Sequence, residues 1–153
     1  MKTIVLGVGN PILQDDGVGI HVIEEIRKRS FSDSDVSFET AFTGGLNLLD
    51  MIRGYEKAIL VDAIAEQKST PGEVKRLSVQ SASSLHSSNP HDVSLAEALT
   101  LAKDLGDTSL PKEIILIGIV VRRTYDFGEK LSTEAQRAVP TAVRMVLSEL
   151  KHT

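Results

Sequence analysis

Acidic and imidazole side chains follow several predicted strands of this chain, each near the point where a strand ends. Asp15 and Asp16 come after the first strand, Asp62 stands at the end of the third, and His91 lies in the loop before a later helix. Ligands of open α/β sheets bind beyond the carboxyl ends of the strands, so two acids and one imidazole could converge there from three segments. Such ligands suit a borderline divalent ion such as nickel or zinc.

Further polar and glycine residues fall at the same predicted edge. They follow the first, second and last strands: Asn10, Thr43, Gly44, Gly45, Arg122 and Arg123. We expect the first four to contact the substrate, since paired glycines favour a tight strand-to-helix turn whose amides could hold an extended peptide. The two arginines are more typical of solvated surface charge, although they could attract an acidic substrate tail.

The elements that must position these groups are predicted from alternating apolar runs and helical patterns. Predicted strands cover 3–8, 37–42, 57–64, 73–79 and 113–121, and predicted helices cover 17–29, 46–53, 94–104 and a terminal segment from 133. Charges mark 73–79 as an edge strand, and Pro140 should kink the last helix. We predict a single domain over residues 1–153, a three-layer α/β/α sandwich with a mostly parallel, twisted sheet of about five strands.

Composition excludes several classes of function. The chain has 153 residues and no cysteine, which removes disulfides, thiol nucleophiles and thiolate metal ligands. Its formal net charge is −4 without a cluster of basic residues, which argues against nucleic acid as a partner. The apolar N-terminal stretch is too short for a signal peptide and no run reaches membrane-spanning length. The sequence therefore predicts a cytoplasmic protein without a membrane span.

The first loop opens with a Gly-x-Gly turn, which could indicate a dinucleotide-binding fingerprint. Gly7 and Gly9 fit that pattern, but Ile12 occupies the position of its third glycine and Pro11 precedes it. A β-branched side chain at that position would obstruct close packing of the helix on the strand. A nucleotide-binding enzyme is therefore a weakened alternative.

The same loop and four later motifs resemble the hydrogenase maturation endopeptidases. Gly-x-Gly-Asn and Asp-Asp-Gly-x-Gly lie within residues 7–19, followed by Thr-Gly-Gly at 43–45, Val-Asp-Ala at 61–63, Pro-Gly-Glu at 71–73 and Asn-Pro-His at 89–91. The resemblance extends from Met1 to about Leu150, and the order and spacing of the motifs make it specific. It implies an α/β/α fold of the phosphorylase/hydrolase-like kind.

The resemblance also implies a site and a substrate. Asp16, Asp62 and His91 match the family's metal ligands and would be the catalytic residues. The substrate would be the precursor of a nickel-iron hydrogenase large subunit, which loses a short C-terminal extension after nickel insertion. In that picture the nickel is carried by the substrate, and the protease recognises it. Arg122 and Arg123 stand where relatives often carry a proline and an acid, so the partner hydrogenase is not identified.

Familiar peptidase motifs do not occur in the sequence. It contains no His-Glu-x-x-His, no Gly-x-Ser-x-Gly and no Asp-Thr-Gly. This favours metal-dependent recognition over a serine nucleophile or an aspartyl-type pair. The three ligands would complete the coordination of substrate-bound nickel, which would position the scissile peptide and could polarise its carbonyl or a bound water. A metal-dependent chaperone that binds the precursor without cutting it is a second alternative.

Each candidate side chain also has an ordinary structural interpretation. Asp16 could be the N-cap of the first helix, and Asp62 could accept a loop hydrogen bond. Asp15 is more typical of a solvated turn. His21, five residues after Asp16, is the alternative ligand, and we expect it to be partly exposed.

Overall fold

The computed structural model describes residues 2–29, 33–42, 45–66, 68–78, 95–122, 128 and 130–151. Strands and helices alternate along these residues as the sequence predicts, except that β4 follows β3 without a helix between them. The strands are β1 (Thr3–Val8), β2 (Val36–Ala41), β3 (Lys57–Ile64), β4 (Val74–Ser78) and β5 (Glu113–Val120). The helices are α1 (Val18–Lys28), α2 (Gly45–Ile52), α3 (Leu95–Asp104) and α4 (Thr133–Lys151).

The strands form one mostly parallel sheet in the order β2-β1-β3-β5-β4. The first four in that order run parallel, whereas β4 is antiparallel to β5 at the edge. The predicted fold class is therefore confirmed, and so is the edge position of the charged strand. Because β1, β2, β3 and β5 share one direction, their carboxyl ends meet at a single edge of the sheet.

Two apolar cores lie on opposite faces of this sheet. Alternate residues of β3 divide between them: Ile59, Val61 and Ala63 pack toward α1 and α4, whereas Ala58, Leu60 and Ile64 pack toward α2 and α3. Successive side chains of a strand point to opposite faces. Asp62 therefore stands on the face that α2 and α3 cover.

The helices begin within one residue of the predicted positions. A 3-10 turn (Gln14–Gly17) precedes α1, so α1 begins one residue later than predicted. The cap of α4 is Ser132, whose Oγ accepts the Ala135 amide N–H at 3.2 Å. α4 continues through Pro140. Among the described residues, no helix combines the length and apolarity needed to cross a bilayer.

An ion-pair cluster ties α4 to the amino ends of the strands, at the edge opposite the predicted site. The buried Lys57 Nζ lies 3.5 Å from Glu149 Oε2 and donates to the Glu149 carbonyl at 3.1 Å. Arg76 also pairs with the Glu149 carboxylate and lies 3.7 Å from that of Glu113. Burial raises the pKa of Glu149, but the hydrogen bond and charge of Arg76 and the charge of Lys57 lower it more, so the net shift is downward.

Glu149→Gln should make the free energy of unfolding depend less on pH in the acidic range. A carboxyl group whose pKa is lowered by folding stabilises the protein above its unfolded pKa, and that contribution is lost as the pH falls through the folded value. We expect the variant to lose about 1–2 kcal/mol at pH 7, since a charged hydrogen-bond acceptor for Lys57 is removed. The difference from wild type should close below about pH 4. Urea unfolding at several pH values measures it, and a gap that is constant with pH would contradict the assignment.

Candidate functional site

Asp16 lies in the 3-10 turn that follows the first loop. Its Oδ2 accepts the backbone N–H of Asn10 at 2.9 Å, and the Oδ1 of Asn10 accepts the Ile12 N–H at 3.2 Å. The N-cap residue of α1 is Gly17, so the N-cap interpretation of Asp16 is wrong. The carboxylate instead closes the loop that carries it, with the predicted substrate-binding residue Asn10 as its partner.

Close packing explains the Gly-x-Gly turn without a nucleotide. Gly9 has a φ of +153°, and a Cβ there would lie 2.1 Å from the carbonyl oxygen of Asp16. Only glycine allows the chain after β1 to fold back onto the Asp16 turn at this distance. The glycine therefore serves the shape of the acidic loop.

Asp62 lies on β3, two residues before the strand ends, and its side chain is buried at 4% exposure. The 3-10 turn that carries Asp16 packs against β3. In the register of the sheet Asp62 is opposite Gly118 of β5. The two predicted acidic ligands thus lie on contacting segments at the carboxyl edge of the sheet.

The remaining predicted site residues divide between described and undescribed parts of the chain. Gly45 is the first residue of α2. Thr43, Gly44 and His91 lie outside the described residues, so their convergence with the two acids stays a prediction. Within the described ranges, no three histidine or acidic side chains are gathered closely enough to hold a metal ion.

His21 lies on the other side of the sheet from the Asp62 side chain. It is half-buried, as expected, and lines a groove of about 460 Å³ between α1 and α4. Those two helices cover the face of Val61, not the face of Asp62. The geometry therefore disfavours His21 as a partner of Asp62.

The expectation that Asp15 is a solvated turn residue is wrong. Asp15 is 5% exposed, and its carboxylate accepts the Ser132 backbone N–H at 2.7 Å and the Ser132 hydroxyl at 2.6 Å. Sequence reasoning missed this contact because the partners are 117 positions apart. The only local signal was the position of Ser132 directly before a predicted helix.

Backbone hydrogen bonds join the same two segments a second time. The amide of Gln14 donates to the Gly128 carbonyl at 2.7 Å, and the Gly128 amide donates to the Ile12 carbonyl at 2.7 Å. Gln14 takes up a left-handed conformation with a φ of +47° to make this contact. The first loop is therefore held against the segment that leads from β5 into α4.

Arg122 follows β5 and is exposed, as the sequence suggested. Its charge contributes to the environment of Glu134 in the first turn of α4. The pKa of Glu134 is lowered mainly by its own backbone N–H, and further by the Ser132 hydroxyl and the charge of Arg122. The charge of Arg122 thus helps to lower the pKa of a carboxyl group at the N-terminus of α4. Arg123 lies outside the described residues.

The fold is that of endopeptidases that mature hydrogenases. The solved hydrogenase maturating endopeptidase HybD from Escherichia coli superposes with a TM-score of 0.82 at 26% identity, over 99% of this chain and 93% of that one. A hydrogenase 2 maturation peptidase from a Thaumarchaeota archaeon gives 0.66 at 32% identity, over 98% of both chains.

Sequence comparison agrees. The hydrogenase 2 maturation protease of E. coli K12 is 28% identical over 99% of this chain and 92% of its own length. The family model HycI, hydrogenase maturation protease, matches residues 20–149. The chain belongs to this family and is an endopeptidase of hydrogenase maturation, which confirms the resemblance seen in the motifs.

Proposed function

We propose that this endopeptidase removes the C-terminal extension of a nickel-iron hydrogenase large-subunit precursor once nickel has been inserted. Asp16, Asp62 and His91 would complete the coordination of the nickel that the substrate carries. The observation that supports the proposal most directly is the contact between the Asp16 turn and β3, the strand of Asp62, at one edge of the sheet.

The environment of Asp62 favours a strong interaction with a cation. Its side chain is almost fully buried, and charges interact more strongly where water is scarce. Asp16 is half-buried, in the turn that packs against β3. Two carboxylates and one imidazole form a donor set that suits nickel.

The face on which Asp62 stands also suits a peptide substrate. α2 and α3 cover that face, and in the sequence Thr43 and Gly44 directly precede α2 while His91 comes shortly before α3. Ile12 and Phe42, near the same edge, are exposed large apolar side chains at 50% and 66%. They offer contact surface for apolar residues next to the cut site.

Nickel recognition would provide the specificity of the reaction. A precursor without nickel offers the three ligands nothing to bind, so loaded and empty precursors would differ in affinity and in the position of the scissile peptide. The substrate metal could then polarise the scissile carbonyl or a bound water. Arg122 and Arg123 would attract an acidic tail.

The two alternatives predict other outcomes. A chaperone that does not cut would bind the precursor without changing its mass, and a nucleotide-binding enzyme would be stabilised by nucleotides. Membership in the protease family favours cleavage over both, and the close-packed turn at Gly9 leaves the Gly-x-Gly motif with a structural role.

Nickel-loaded precursor should be cut and nickel-free precursor should stay intact. We expect at least about a 100-fold difference in rate, since the metal provides both binding and orientation. Mass spectrometry of the large subunit after incubation with each form measures it. Equal cleavage of both forms would reject nickel recognition.

Histidine variants serve as the control for this assay. His91→Ala should lower the cleavage rate of loaded precursor by at least about 10-fold, because one neutral ligand is lost. His21→Ala, on the opposite face, should stay within about 3-fold of wild type because ordinary surface changes have small effects. The reverse pattern would transfer the ligand role to His21.

A further inference from the structure

We infer that Asp15 is a positioning residue, which holds the Asp16 turn in place by binding the N-terminus of α4. The inference rests on the proposed role of Asp16 in cleavage. Asp15 would not touch the substrate. It would act through the adjacent residue, by joining the first loop to Ser132 near the opposite end of the chain.

The contact between Asp15 and Ser132 is buried and uses every oxygen of the carboxylate. Asp15 is almost fully buried, and each of its two carboxylate oxygens accepts a separate donor of Ser132 at 2.6–2.7 Å. Charge-assisted hydrogen bonds of this length are stronger than neutral ones. Ser132 in turn caps α4 through the Ala135 amide. The carboxylate, the hydroxyl and the helix N-terminus therefore form one continuous chain of contacts.

The geometry of the turn carries this restraint to Asp16. Asp15 and Asp16 are consecutive residues of a four-residue 3-10 turn, in which neighbouring side chains are rotated about 120° from each other. One carboxylate thus bonds toward α4 while the next bonds back to the Asn10 amide. Rotation of the turn would break both contacts together, so fixing Asp15 fixes the direction of Asp16.

The Gly128 contacts hold the backbone of the first loop, whereas Asp15 holds the acidic turn through a side chain. They involve the backbone of Ile12 and Gln14, before the acidic pair. The Asp15 carboxylate, by contrast, bonds directly to Ser132 through both of its oxygens. Loss of the Asp15 carboxylate should therefore loosen the direction of Asp16 while the loop stays attached.

The test compares Asp15→Asn and Ser132→Ala with wild type. The first keeps the side-chain shape but removes the charge, and the second removes the hydroxyl. The backbone amide resonance of Asn10, whose N–H bonds to Asp16, reports the direction of that carboxylate without any substrate. We expect its chemical shift to move and its hydrogen exchange to accelerate in both variants. On nickel-loaded precursor kcat should fall by at least about 10-fold with little change in KM, as expected when a supporting contact is lost.

Two controls separate positioning from simple loss of stability. Arg76→Ala weakens the ion-pair cluster at the far edge, and it should lower Tm without moving the Asn10 resonance or kcat. Ser132→Thr keeps the hydroxyl, so its Asn10 resonance and its kcat should match those of wild type. If Asp15→Asn does not fold, the comparison of Ser132→Thr with Ser132→Ala still tests the inference.

The inference would be overturned if the Asn10 amide resonance were unchanged in Asp15→Asn and Ser132→Ala. It would also be overturned if these variants lost no more kcat than an Arg76→Ala protein with the same Tm. Failure of the wild-type protein to cut loaded precursor would instead reject the proposed function, and the Asn10 resonance would still decide what Asp15 does.

Discussion

Asp62→Asn should leave a folded protein that cuts nickel-loaded precursor about 1000-fold more slowly, or not at all, because a metal site gives several kcal/mol of stabilisation. The substitution keeps the volume of the side chain and removes its negative charge. In a nearly water-free position on β3, a neutral amide is a far weaker ligand for a cation than a carboxylate. The loss should exceed that of His91→Ala, which removes a neutral ligand.

A matched control is available in the second helix. Asp50 is a largely exposed acid on α2 that pairs with Arg53 three residues later. Asp50→Asn makes the same chemical change away from the site and should leave the cleavage rate within about 2-fold of wild type, as most surface substitutions have small effects. Circular dichroism and thermal unfolding confirm that both variants are folded. Full activity of the Asp62 variant would eliminate the proposed role of this carboxylate.

The strands could be predicted from the sequence because their signal is local. β3 coincides with the predicted range 57–64, and the other four strands differ from their predictions by at most one residue at either end. Apolar β-branched runs bounded by turn residues leave few alternatives. The shared direction of the strands then placed Asp16 and Asp62 at one edge.

The environment of the acidic pair could not be predicted in the same way. Asp15 and Asp16 are adjacent and chemically identical, so local sequence gave no reason to bury one and half-bury the other. The difference arises from Ser132, a partner far along the chain. Likewise, the 3-10 turn before α1 depends on the contact of Gly9 with the Asp16 carbonyl, which periodicity does not reveal. Long-range contacts of this kind are fixed by topology after the elements are in place.

Gly19→Ala should be strongly destabilising, although the helix position alone predicts the opposite. Gly19 lies in the first turn of α1, where alanine is normally favoured over glycine by up to about 1 kcal/mol. Here, however, an added Cβ would lie 2.2 Å from the Val61 carbonyl oxygen and 2.8 Å from that of Val8. Both oxygens belong to strands of the parallel sheet, which cannot move individually without breaking the ladder.

We therefore expect a loss of about 3 kcal/mol in the free energy of unfolding, at the upper end of the usual cost of overpacking. Urea denaturation measures it. Gly106→Ala is the matched control: its φ is +82° and no atom lies within 4 Å of the added Cβ, so only backbone strain of about 1–2 kcal/mol applies. A stabilised Gly19 variant, or a loss no greater than that of the control, would contradict the clash.

The same substitution should also affect the site. Val61 directly precedes Asp62, and Gly19 follows Asp16 by three residues, so relief of the clash must move the two acidic segments apart. At a temperature where the Gly19 variant is still fully folded, its kcat/KM on loaded precursor should fall by at least about 10-fold, since misplacement by about 1 Å costs up to 100-fold. Gly106→Ala should keep its activity. The close approach of α1 to β3 thus links the stability of the fold to the spacing of its two carboxylates.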